Sequence, residues 1–339
     1  MKSESLKSNA IPVLVGVGIC LFFVRSGFLA FFFLVPLGFI AFRYDYDTAW
    51  KAFFLAFAGN TFLAFGTMGA LGNTLAQTVW NSLYFAVMTM IFTWVIVPPP
   101  FMRFNMSAGL RLIAGSCLGA LMFIVIFYRA IASPGFSEYV NAMTHWLVSF
   151  NSSSGTDVVQ AALLDSLTPE LLLAGIKSMM LRGVSLVYCI FLFFVSRQIS
   201  FSLVRIVRRE RGTPFFAGFH VHPAIIWAFS ASLLLVVFTR LVKLEIPEII
   251  LWNILILCAI LYLAQGLGIL QFFLTKPSMP PVFRLSLTIL IFILLFSPVI
   301  NAGFLAGVVL LGIAENWVSF RALKQEGPPS TPEAGDGGN

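Results

Sequence analysis

Charge is scarce in this chain, and that scarcity decides its class. Asp, Glu, Lys and Arg make up 10% of the 339 residues, where a soluble domain carries about 25%. So few charges do not solvate a globular surface, and the mean hydropathy of +0.94 says the same. Hydrophobic residues reach 59%, with Phe alone contributing 37. The exterior that fits is one facing hydrocarbon. Alternation of apolar and polar residues is also missing. Barrel strands alternate over about ten residues, whereas Phe28–Phe42 and Ile225–Phe238 are continuous apolar runs. Backbone polar groups must be satisfied internally in lipid, and only helices or closed barrels do that. The expected fold is therefore an all-α, polytopic transmembrane helical bundle.

Motifs that carry chemistry are missing as well. The four cysteines, Cys20, Cys117, Cys189 and Cys258, lie singly inside apolar runs, which reads as small hydrophobes in helix packing. No C-x-x-C pair offers a metal site. His220 and His222 form an H-x-H pair, but zinc needs a third ligand, and the remaining histidine, His145, falls on the opposite face in the expected topology. HExxH, GxSxG and the nucleotide-binding GxxxxGK[ST] do not occur. No catalytic residue, metal or cofactor is assigned, and ATP-driven transport would need a separate ATPase. The net charge of +7 is accounted for by Lys and Arg in cytoplasmic loops, with no patch that calls for nucleic acid.

What is present is a series of apolar segments. A polar tail, residues 1–9, precedes Ile11–Val24, which reads as a retained membrane segment rather than a cleaved signal, because no A-x-A-like site follows. Ile11–Val24 and Phe28–Phe42 are both short against the roughly 20 residues of a full span. They read as two short helices or as a span plus a re-entrant piece. Thr48–Phe65, Gln77–Val97 and Ser107–Ile131 follow, with a Gly-rich loop at Gly66–Asn73. The polar stretch Ala132–Pro169 reads as an outer loop holding two interfacial helices, Ser137–Phe150 and Thr156–Leu167. Thr168 is an N-cap with Pro169 in the first turn of a helix running to about Arg208. A basic run, Arg205–Arg211, makes a cytoplasmic linker between an N-terminal half, 10–212, and a C-terminal half, 213–324. The latter carries Pro223–Val242, Pro247–Thr275, Phe283–Phe296 and Phe304–Trp317. The tail 325–339 is rich in Pro, Gly and acids and reads as disordered. The basic loops place both termini in the cytoplasm, with about 8–10 membrane segments.

Polar groups inside a membrane are costly and mark function by default. The candidates are Asn60, Asn81, Arg129, Lys177, Arg182, Asn253, Gln265 and Glu315, with Arg321 after the last helix. For the three asparagines the bland reading is an interhelical hydrogen bond, and for Arg129 it is snorkelling. On one continuous helix Lys177 and Arg182 point about 140° apart. Glu315 and Arg321, six residues apart, have poor geometry for a mutual ion pair, so each is expected to meet another helix or loop. Gln265 is placed to bond Asn301 or backbone freed at Pro298, as structural glue or as a ligand contact. Close helix approach is expected at Gly115 with Gly119, Gly266 with Gly268, and Gly303 with Gly307.

The C-terminal half has a recognisable run. His222-Pro223 with Trp227 opens a span; Asn253 precedes Leu261-Tyr262-Leu263-Ala264-Gln265-Gly266-Leu267; and the last helix closes on Leu311-Gly312-Ile313-Ala314-Glu315-Asn316-Trp317-Val318-Ser319-Phe320-Arg321. In these pieces the chain resembles the YybS-like bacterial multi-pass membrane proteins, whose defining domain has no known function. It departs from them by Glu315 where Asp is usual and Ser319 where an acid is frequent. Pro36-Leu37-Gly38 followed by Arg43-Tyr44 more loosely resembles substrate-binding subunits of energy-coupling-factor vitamin transporters. The resemblance implies a bacterial inner-membrane protein. Two functions follow: a small-solute binding protein or permease without its own ATPase, or a scaffold for envelope assembly that binds other membrane proteins. An intramembrane enzyme acting on lipid is a third, lesser reading. A polar pocket at mid-membrane lined by Asn60, Gln265 or Arg182 favours the first, and a dry core of Phe and Leu favours the second. The partners implied are the lipid bilayer and other membrane proteins, not nucleic acid.

Overall fold

A computed structural model describes residues 2–68, 74–98, 106–153, 168–209, 219–275, 280–297, 300–318 and 320–321. Outside them lie Arg103, the loop residues 69–73, the second expected interfacial helix Thr156–Leu167, the linker from 210 to 218 with Arg211, Pro298, and the tail. Every regular element among the described residues is helical. Five helices are long and apolar enough to cross a bilayer: Leu75–Ile96, Ala108–Ile131, Pro169–Arg208, Ile225–Val242 and Pro247–Thr275. Ala10–Arg25, Leu29–Arg43, Pro281–Ile291 and Asn301–Ala314 are apolar but shorter. The protein is an all-α, multi-pass membrane protein.

The chain forms two compact units, Met1–Gly212 with Val236–Asn253, and Thr213–Leu235 with Ile254–Asn339. The segment 236–253 thus groups with the first unit rather than with the rest of 213–324. Side chains explain this: Glu248 pairs with Arg182, and Asn253 bonds the Leu181 carbonyl.

The first unit begins with α1 (Lys2–Arg25), a 3-10 segment (Gly27–Phe32) and α2 (Leu34–Arg43). At ten residues α2 is only about 15 Å long, half the bilayer core. It is also the most enclosed element, burying Leu34, Val35, Leu37, Ile40 and Ala41. Short or irregular backbone at membrane depth persists where protein surrounds it. Around α2 pack α3 (Tyr46–Gly66), α4 (Leu75–Ile96) and α8 (Ser185–Arg208). Ser200 Oγ donates to Val35 O at 2.8 Å, and a Cβ on Gly38 would run into the Ser200 side chain. Small residues thus set the α2–α8 approach. α5 (Ala108–Ile131) packs on α4 and α8 through Gly115, against Val95 and Ile91, and Gly119, against Phe193 and Cys189. This is the spacing the sequence suggested.

α6 (Pro134–Ser153) precedes α7 (Pro169–Met179), which Thr168 caps by accepting from Leu171 N. The long helix expected from here to Arg208 is interrupted. A π-turn, Met180–Val184, separates α7 from α8, with Gly183 at φ 121°. The 140° separation of Lys177 and Arg182 therefore does not hold, because it assumed an unbroken helix.

In the second unit lie the first part of α9 (Ile225–Val242), most of α10 (Glu245–Thr275), α11 (Pro281–Phe296) and α12 (Asn301–Ala314). Its seam is backbone on backbone. A Cβ on Gly266 would meet Val308 O, and one on Gly312 would meet Tyr262 O. Gly303 and Gly307, by contrast, face open space. The seam thus runs through Gly312, one and a half turns beyond the expected Gly303–Gly307 pair. Fully buried Tyr262 stands edge-on to Phe229, with ring centroids 6.1 Å apart.

Candidate functional site

A cavity of about 640 Å³ opens in the first unit at the end of the bundle where α1 stops and α4 starts. Its position follows from local signals. Thr74 and Gln77 form a reciprocal capping box, Thr74 Oγ1 accepting from Gln77 N at 3.2 Å and Thr74 N donating to Gln77 Oε1 at 2.9 Å. Two orphan N–H groups of α4 are satisfied this way, and the helix begins in a defined phase. Thr78, Asn81 and Phe85, at helical spacings of three and four, then share the face that lines the cavity. Asn60 and Ala64, one turn apart on α3, form the adjoining wall.

The remaining wall is aromatic. The 3-10 segment carries Phe31 to within 6.0 Å of Tyr188 and 5.6 Å of Phe191. Phe33 meets Phe85 at 5.6 Å, and Phe123 backs Tyr188 at 5.0 Å. Tyr84 and Tyr188 are polar neighbours in the lining. Arg25, the last residue of α1, sits at the rim and donates to Thr67 Oγ1 at 3.4 Å. Asn60 is 5% exposed and makes no hydrogen bond among the described residues. The cavity gives the Asn60 side chain its remaining exposure. None of the described residues lining it is Asp or Glu.

Of the residues singled out in the sequence, Asn60 and Asn81 come together here. Arg129, expected to snorkel, lies over the Trp80 ring at 5.1 Å. Arg182 and Asn253 have their partners elsewhere in the same unit. Arg182 Nη2 is 3.5 Å from Glu248 Oε1, which also accepts from Arg240 Nε at 3.1 Å and Trp252 Nε1 at 3.2 Å. Asn253 Nδ2 donates to Leu181 O at 2.7 Å and Ile249 O at 2.8 Å. Leu181 is in the π-turn, so Asn253 takes up a carbonyl at the helix break. Lys177 is half-buried and has no polar side-chain partner among the described residues.

In the second unit the expected partners are corrected. Gln265, 2% exposed, accepts from Val221 N at 2.7 Å and donates to Gly312 O at 3.1 Å, not to Asn301. Both ends of its amide hold backbone, which is the structural reading. Glu315 and Arg321 do pair: Arg321 Nε donates to Glu315 Oε1 at 2.6 Å, with side chains 4–5% exposed. The geometry expected to forbid this assumed a continuing helix. α12 ends at Ala314, and the following turns curl Arg321 back to Glu315 and to Phe219 O at 2.8 Å. His222 Nδ1 accepts from Ala224 N at 3.2 Å at the entry to α9.

The sequence reading missed Arg25, Thr78, Tyr84, Tyr188 and the phenylalanines. The polar spacing of Thr78, Asn81 and Tyr84 along α4 was the available signal. The aromatic wall had none, because any of 37 phenylalanines fits a lipid-facing role equally well. Fold and cavity define a multi-pass helical membrane protein with a partly polar, aromatic-walled pocket. No known protein family, curated protein or solved structure matches the chain.

Proposed function

We propose that the protein binds a small solute within the membrane, as a transport-type binding protein or permease that relies on another protein for any ATP hydrolysis. The cavity around Asn60 carries this reading. Its volume falls in the usual range of ligand sites, about 300–1,000 Å³, and its lining has their composition, apolar and aromatic with a few converging polar groups. The likeness of Pro223–Arg321 to YybS-like proteins belongs to the same proposal, as do a bacterial inner-membrane location and cytoplasmic termini. The test is purification in mild detergent followed by native mass spectrometry. Expected is a small molecule retained by the wild type and lost from the cavity-filling variant Ala64→Phe. A wild type that carries a defined protein partner and no small molecule sinks the reading.

That outcome would favour the scaffold reading, which has one observation behind it. On α6, Tyr139, Ala142, Met143 and Trp146 line a shallow groove at spacings of three and four, with Tyr139 and Trp146 largely exposed.

A further inference from the structure

We infer that the solute taken by the Asn60 cavity is an amphipathic organic anion. The inference rests on the solute-binding reading and adds the chemical class. Among the described residues that line the cavity, Arg25 brings the one full charge, and none is a carboxylate that would cancel it. Arg25 spends a single long bond on Thr67, and a guanidinium has five N–H donors in a fork suited to carboxylate or phosphate. Its place at the rim keeps the charge solvated while the anion's head group arrives. Below it the walls change character. Phe31, Phe33, Phe85 and Tyr188 offer flat apolar faces, and Asn60 ends the pocket with an amide that both donates and accepts. The ligand this describes has a head carrying negative charge, a planar or chain-like apolar body, and a hydrogen-bonding group at its far end. A cation would meet Arg25 and find no counter-charge.

An anionic amphiphile reaches such a site either as a water-soluble acid or as an anionic lipid. Equilibrium dialysis on the full chain in phosphatidylcholine nanodiscs, corrected with empty discs, tests the class. The probes are 2-naphthoate and 2-naphthamide, which share the naphthyl body and differ in a head group that is anionic in one and neutral in the other. The acid should bind about fivefold more tightly than the amide, as an exposed ion pair of about 1 kcal/mol gives. Arg25→Gln should erase that preference and Arg25→Lys retain most of it. Higher salt should shrink it, because the rim charge is exposed. Repeating the measurement in phosphatidylglycerol discs separates the sources. Loss of naphthoate binding there assigns the site to a lipid anion, and undiminished binding assigns it to a soluble acid; both outcomes uphold the class. If acid and amide bind equally, and both are lost in Ala64→Phe, the anion inference fails while solute binding stands. If neither probe binds, both readings fall.

Discussion

Glu315→Gln should destabilise the second unit far more than removing both members of its ion pair. The two side chains are 5% and 4% exposed, joined through two N–H···O contacts, and Arg321 also holds Phe219 O at 2.8 Å. Glu315→Gln leaves the guanidinium buried with a neutral partner. Breaking a buried pair from one side costs about 3–5 kcal/mol. For a body of this size, where each kcal/mol moves Tm by about 3 °C, the loss is about 10 °C. Glu315→Leu with Arg321→Met removes both charges together. What then remains is the unpaired Phe219 carbonyl, at about 1 kcal/mol, and desolvation of the two ions is no longer required. The double variant should therefore melt well above either single variant. Thermal unfolding in detergent, followed by far-UV circular dichroism, reads wild type, Glu315→Leu, Arg321→Met and their double variant as a cycle, with Glu315→Gln alongside. Losses that simply add, or single substitutions within 1 °C of wild type, refute the reasoning, because then the pair is neither buried nor coupled.

Gly183→Ala should cost about 1–3 kcal/mol, since φ 121° is outside the range an L-residue adopts without strain; a gain in Tm in the same melting assay would mean that the π-turn straightens without penalty. Gly266→Leu should abolish stable folding of the second unit, because its Cβ would strike Val308 backbone, whereas Gly307→Leu should be tolerated, having open space. Protease resistance in membranes compares the two, and equal sensitivity would contradict the seam described.

Much of the first unit's packing was legible because small residues at fixed spacing say one thing in a membrane. Gly115 and Gly119 proved to be contact points for that reason. The same logic failed at Gly303 and Gly307, since spacing alone does not tell which face of a helix meets a partner. Arg321 and Glu315 were misjudged because their pairing depends on where α12 stops, and no Pro or Gly marks the stop at Ala314. Lys177 and Arg182 were misplaced on one ladder because a single Gly183 inside an apolar run reads as packing until its φ is known.

Composition by itself determined that this protein is helical and membrane-spanning. So little charge leaves hydrocarbon as the surrounding medium, and continuous apolar runs leave helices to satisfy the backbone. Periodicity and caps placed most helices to within a few residues, as Thr168 before α7 illustrates. Only the tertiary structure decided which of the scarce polar groups hold the fold together and which line a cavity. Gln265, Asn253, Glu315 and Arg321 are spent on backbone and on each other. Asn60 is left facing a cavity with Arg25 at its rim. The distinction is physical: a hydrogen bond needs its partner within about 3 Å, and residues tens of positions apart acquire that distance only when the helices pack.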